Sequence, residues 1–84
     1  MKVNFVAISG KIYDDNLEVY TKSGKKYKLY TIRSSLNSWI RVVSRDPINT
    51  SSEVIIFGKI INIYGNLAIL AVEYKKSSIS EKSY

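Results

Sequence analysis

The sequence predicts a small all-β domain with one short helix: a five-stranded barrel in which the helix lies between the third and fourth strands. Three observations carry this prediction. Several short segments alternate apolar and polar residues with the period of a half-buried strand. Glycines interrupt two of them, at Gly10 and Gly58, where a strand that serves both sides of a small barrel must bend. Between Leu36 and Val43 the apolar spacing changes to three and four residues, the period of a helix. At 84 residues the chain makes one domain and buries only about 60 % of its unfolded surface, so its core is modest.

The first strand is predicted from Val3 to Tyr13, with Val6, Ile8 and Ile12 on one parity and Phe5, Ala7 and Tyr13 on the other. Asp14, Asp15 and Asn16 read as a turn. The second strand, Leu17 to Lys22, alternates Leu17, Val19 and Thr21 against Glu18, Tyr20 and Lys22. Ser23, Gly24 and Lys25 supply the next turn. The third strand, Lys26 to Ile32, sets Tyr27, Leu29 and Thr31 against Lys26, Lys28 and Tyr30. The helix follows, with Leu36, Trp39, Ile40 and Val43 as its stripe and Ser34 or Ser35 as its N-cap. Asp46 and Pro47 end it, because a proline disfavours helical geometry in the residue before it. The strongest β signal is a hairpin: Glu53 to Tyr64, a turn at Gly65 and Asn66, then Leu67 to Tyr74. The domain is expected over residues 1–74, with a flexible Ser- and Lys-rich tail over 75–84.

The chain has no His and no Cys, which removes imidazole and thiolate metal ligands, disulfides and the Ser-His or Cys-His couples of nucleophilic catalysis. Asp14 and Asp15 fall short of a hard-cation loop, having no third ligand at a useful spacing. No cofactor is implied, and the remaining carboxylates and hydroxyls form no catalytic constellation, so the expectation is not an enzyme. No apolar run reaches the roughly 18 residues of a membrane span. Nor does the N-terminus read as a secretory signal, so a cytoplasmic location is expected. The bias toward Ile, Lys, Ser and Tyr, with no Gln, fits a thermophile and equally fits AT-rich coding.

The run Ile8-Ser9-Gly10-Lys11-Ile12, a helix inserted before the last two strands, and the segment from Val54 to Leu70 together resemble the OB-fold family. They are similar in particular to small archaeal and eukaryotic single-strand-binding, telomere-type and replication-accessory barrels. The resemblance spans residues 3–74. It implies a closed Greek-key barrel that binds single-stranded nucleic acid on an open sheet face. It fixes no ligand, because OB barrels serve nucleic-acid, sugar and protein partners alike.

The net charge is +6, and its excess is local: Lys22, Lys25, Lys26, Lys28, Arg33, Arg41 and Arg45 fall between Tyr20 and Arg45 with no acidic residue among them. Strand parity puts Tyr20, Lys22, Lys26, Lys28 and Tyr30 on one face of the second and third strands. Cations there would meet phosphates, and tyrosines would stack bases. The candidate nucleic-acid-binding residues are therefore Tyr20, Lys22, Lys25, Lys26, Lys28, Tyr30 and Arg33. The same lysines would equally make an ordinary solvated hairpin. Trp39, on the helix stripe, is expected to plug the barrel end, and Tyr13, Tyr64 and Tyr74 to girdle it.

The fourth and fifth strands are apolar on both faces, which predicts an uncovered patch. Its candidate protein-interface residues are Ile55, Phe57, Ile61, Ile63 and Leu70. Two functions follow. One is a non-enzymatic module binding single-stranded DNA or RNA with little sequence preference. The other is a small accessory subunit docking through strands four and five onto a larger replication, repair or transcription enzyme, or onto a second copy of itself.

Overall fold

A computed structural model describes residues 4–77. Five strands, β1 (Phe5–Tyr20), β2 (Lys26–Ser34), β3 (Trp39–Ser44), β4 (Val54–Ile63) and β5 (Asn66–Lys76), close into a barrel in the order β1-β2-β3-β5-β4. Closure depends on one parallel contact, Val42 and Val43 of β3 against Ile69 and Leu70 of β5. Every other neighbouring pair is antiparallel.

The segments predicted as strands one and two form a single strand. β1 is 16 residues long and serves two partners: its first half pairs with β4 and its second with β2. Asp14 to Asn16, expected as a turn, is a bulge, and the register slips between Asp14 and Leu17. The Asp14 carboxylate accepts the Asn16 N–H at 2.7 Å, and Asn16 takes a positive φ of 58°. This is the local chemistry of an Asx turn, used here to kink a continuous strand.

Residues 36–43 form a turn and β3 rather than a helix, and there is no helix among the described residues. The Ser34 hydroxyl accepts the N–H groups of Leu36 and Ser38, both at 3.2 Å, as an N-cap does, but Asn37 then adopts a φ of 68° and the chain reverses. Trp39 to Ser44 pair with Arg33 to Lys28, and the β-branched Ile40, Val42 and Val43 suit a pleated surface. The connection from β3 to β4 is irregular and sends Ile48 into the barrel, where its N–H donates to the Tyr30 hydroxyl at 2.9 Å. Ile48 and Tyr30 both belong to the main core.

The main core gathers Ile12, Tyr30, Ile32, Val42, Ile48, Val54, Ile56 and Ile69. Burying each aliphatic side chain contributes about 1.5–3 kcal/mol. A second cluster, Leu29, Val43 and Ala68, lies on the opposite faces of β2, β3 and β5, with Val19, Tyr27, Ile61, Ile63 and Leu70 packed against it. At Gly10 and Gly58 a neighbouring strand leaves no room for a side chain. A Cβ on Gly10 would run into the Arg33 carbonyl, and one on Gly58 into the Leu70 carbonyl. The β4–β5 turn is Tyr64 and Gly65, both at positive φ, the tight hairpin form that Gly favours. Lys75 and Lys76 belong to β5, and the Ser77 N–H donates to the Glu53 carbonyl at 2.9 Å; the rest of the predicted tail, 78–84, lies outside the described residues.

Candidate nucleic-acid interface

The outer face of β1, β2 and β3 follows from the register. Tyr13 stands opposite Thr31, which stands opposite Arg41; Lys11 stands opposite Arg33, which stands opposite Trp39. Thr31 is small, so the Tyr13 and Trp39 rings meet above β2, with centroids 5.6 Å apart and planes tilted by 37°. Each ring carries a cation: Lys11 Nζ lies 5.9 Å from the Tyr13 centroid, and the Arg33 guanidinium 5.7 Å from that of Trp39. At that range a cation is attracted to the ring face. Arg33 is steadied by Asn37, whose Oδ1 accepts its Nε–H at 3.0 Å. Trp39 remains 60 % exposed and Tyr13 38 %. Two open aromatic surfaces with a cation on each form a platform that can stack bases while neutralising the phosphates between them.

The platform continues into an apolar groove of about 460 Å³ between two hairpins. Val19, Tyr20, Thr21, Lys22 and Tyr27 form one wall, Ile61 to Tyr64 the other, and Val43 and Leu70 lie within it. Ile63 and Tyr64 border both this groove and the hollow beside Trp39, so the two regions are contiguous.

The expected site is divided by the fold. Arg33 joins the aromatic platform. Tyr20, Lys22, Lys25 and Lys26 sit on the exposed β1–β2 arm. Tyr30 is 1 % exposed and belongs to the core, because Leu29 and Tyr30 are both buried and this stretch of β2 has no free face. The acid-free stretch of sequence is not acid-free in space. β1 brings Glu18 to 3.5 Å from Lys26 and Asp14 to 3.0 Å from Lys28, and the Tyr20 hydroxyl donates to Glu18 at 3.4 Å. The Asn16 N–H, and then the Lys28 ammonium, lower the Asp14 pKa, and the hydrogen bond to Asp14 raises that of Lys28.

The expected apolar interface is also divided. Ile61, Ile63 and Leu70 line the groove and pack on the second cluster. Ile55 and Phe57 lie on the half of β4 that pairs with β1, where Phe57 faces Glu73 and lies under Lys75 at 5.9 Å. Trp39, expected to plug the barrel, is instead on the outer face. Tyr13, Trp39, Lys11 and Arg41 stand on this candidate face outside the expected set. Their signal is the alternation Lys11-Ile12-Tyr13 and Trp39-Ile40-Arg41, cation and aromatic on one parity and isoleucine on the other. It becomes visible once residues 39–44 are read as a strand. Among the described residues no three Asp, Glu, His or Cys side chains converge to hold a metal ion.

A mitochondrial single-stranded DNA-binding protein of S. cerevisiae, Rim1, has a similar structure, with a TM-score of 0.72 over 92 % of this chain and 97 % of that one. The chain is an OB fold. The sequences are 14 % identical, so the likeness is one of backbone architecture. No family model matches the sequence, and no curated protein matches it. Five strands closed in the order β1-β2-β3-β5-β4, with a bent first strand shared between β2 and β4, are the OB barrel's topology.

Proposed function

We propose that this OB barrel is a non-enzymatic module that binds single-stranded nucleic acid, DNA in the first instance, across the outer face of β1–β3. The observation that carries this reading is the exposed Tyr13–Trp39 pair with Lys11 and Arg33 on its rings. Stacking is tolerant of sequence because every base has a π-face, so the module discriminates little between sequences overall. The strand would cross the platform and run toward the groove between the hairpins, where Lys22 and Lys25 extend the cationic track. The similar architecture of a single-stranded DNA-binding protein supports this reading.

Trp39 is the single tryptophan, so its fluorescence reports on the platform alone. Titration of the protein with oligo-dT should quench that emission, with a midpoint that moves to higher concentration as salt rises. Oligonucleotide binding without any change in Trp39 emission would place the contact elsewhere.

A second reading has its own support. Ile61, Ile63 and Leu70 leave an apolar groove large enough for side chains of a protein partner, so the module would double as an accessory subunit of a larger enzyme. That reading expects groove substitutions such as Ile63→Asp to leave Trp39 quenching intact while abolishing partner capture.

A further inference from the structure

Among the described residues three other than glycine take a positive φ: Asn16, Asn37 and Tyr64. Asparagine tolerates the left-handed region, whereas a bulky ring there is an outlier. Tyr64, at φ 51°, begins the two-residue turn that Ile63 and Asn66 close, and Gly65 follows it at φ 84°. Both central residues of such a turn need positive φ, and asparagine is the favoured residue before the glycine. The turn's side-chain hydrogen bond comes from Asn62, whose Oδ1 accepts the Gly65 N–H at 2.9 Å, and requires no tyrosine. Packing gives little in return, since Tyr64 is 85 % exposed. A residue held in a sparsely populated conformation with no structural gain is a recurrent mark of a binding site.

The surroundings of the ring suit a nucleotide. On one side lies a hollow of about 400 Å³ that Tyr64 shares with Trp39 and Arg41; on the other lies the groove between the hairpins, which it shares with Tyr20 and Lys22. Each lining has one cation and no acidic residue. Asp15, held by the Thr31 hydroxyl at 2.9 and 3.1 Å, is in neither lining. Arg41 is exposed and has no ion pair among the described residues. Resting on the single-strand reading above, we propose that Tyr64 is a further base-stacking residue. The hollow it shares with Trp39 takes the nucleotide next to the one on the platform, with the base on the Tyr64 ring and the phosphate at Arg41. Tyr64 thereby leads the strand from the platform into the groove, and the turn gives up stability to present a π-face where the two hollows meet. A protein partner could use the same ring, but the cation in each lining favours a polyanion.

Stability and binding should move in opposite directions on substitution. In Tyr64→Asn the turn takes its favoured sequence, so the melting temperature should rise. Affinity for oligo-dT should fall about fivefold or more, the lower end of what one base–aromatic stack confers. Trp39 quenching at saturation should persist, because the platform is untouched. Tyr64→Phe should bind within about twofold of the unmodified protein, while Tyr64→Leu, apolar but without a π-face, should lose as much affinity as Tyr64→Asn. A melting temperature that fails to rise in Tyr64→Asn gives the ring a structural role and overturns the proposal. So does unchanged oligo-dT affinity in Tyr64→Asn, or equal affinity in Tyr64→Leu and Tyr64→Phe; in each case continued Trp39 quenching leaves the single-strand reading standing. Failure of the unmodified protein to bind any strand overturns both. The Phe and Leu variants both keep a bulky side chain at positive φ, so their comparison holds whatever asparagine does to the turn.

Discussion

Two regions of the barrel present aromatic and cationic side chains, and they are built in opposite ways. The β1–β2 arm has the densest run of lysines in the sequence, yet two of them face carboxylates across the hairpin, and the tyrosine expected beside them, Tyr30, is in the core. The Tyr13–Trp39 platform draws Lys11, Tyr13, Arg33, Trp39 and Arg41 from three strands, and of its cations only Arg33 and Arg41 belong to the cationic stretch of the sequence. Charge density along a sequence is therefore a poor guide to charge density on a sheet. A neighbouring strand can bring in compensating acids, and a face can collect cations that are 22 residues apart, as Lys11 and Arg33 are.

The largest expected effect separates the two regions by stacking. Trp39→Ala should weaken single-strand binding by about 1–3 kcal/mol, the worth of one base–aromatic stack. Because Trp39 is mostly exposed, the melting temperature should barely move. Tyr20→Ala on the arm should cost much less binding. Equal losses at the two positions would mean that the strand follows the arm as closely as the platform.

Tyr30→Phe sharpens the comparison from the stability side. It strips the Ile48 N–H of its partner inside the core, and a buried donor left unsatisfied costs about 1–3 kcal/mol. Denaturant unfolding should register the loss, while oligonucleotide affinity measured well below the transition should not change. A Tyr30→Phe protein of full stability but weakened binding would return Tyr30 to the interface.

Salt dependence tests the cations separately. The slope of log K against log salt should fall by about 0.7 for each phosphate contact removed from a single-strand complex. Lys11→Ala and Arg33→Ala should each reduce the slope by about that much. Lys26→Ala with Lys28→Ala should leave it unchanged, since both lysines already face acids.

Much of the barrel is legible in the chain, for a reason specific to each part. The β4–β5 hairpin is a run of β-branched residues around a Gly turn, and no other local structure suits it. The bulge in β1 is not legible, because Asp14 capping the Asn16 N–H reads the same whether the strand ends or merely kinks. Only pairing with β2 on both sides of the bulge decides it, and that is a long-range fact. β3 is mistaken for a helix because Leu36, Trp39, Ile40 and Val43 satisfy a helical stripe as well as a turn followed by alternation. Six residues are too few for the period to arbitrate. The candidate site inherits this error: with residues 39–44 helical, Trp39 points into the barrel and the platform does not exist.

The smallest expected effect concerns the Asp14–Lys28 pair, which is partly exposed and so weakened by solvent and salt. Asp14 has a lowered pKa, so its contribution to stability is full above the ordinary carboxylate value of about 3.9 and is lost as pH falls through its lower folded value. Lys28 has a raised pKa, so its contribution is full below about 10.4 and is lost as pH rises through its higher folded value. Melting temperature should therefore be flat between those limits as far as this pair is concerned, with one shoulder on each side. The two shoulders have different origins. The largest single cause of the lowered Asp14 pKa is the Asn16 N–H, so Lys28→Met should remove the alkaline shoulder and retain part of the acidic one, whereas Asp14→Asn should remove the acidic shoulder and weaken the alkaline one, to which Tyr30 also contributes. If Lys28→Met abolished the acidic shoulder altogether, the carboxylate would owe its place to the ion pair. The arm's charges, however little they contribute to binding, would then help to shape the strand that carries Tyr13 onto the outer face.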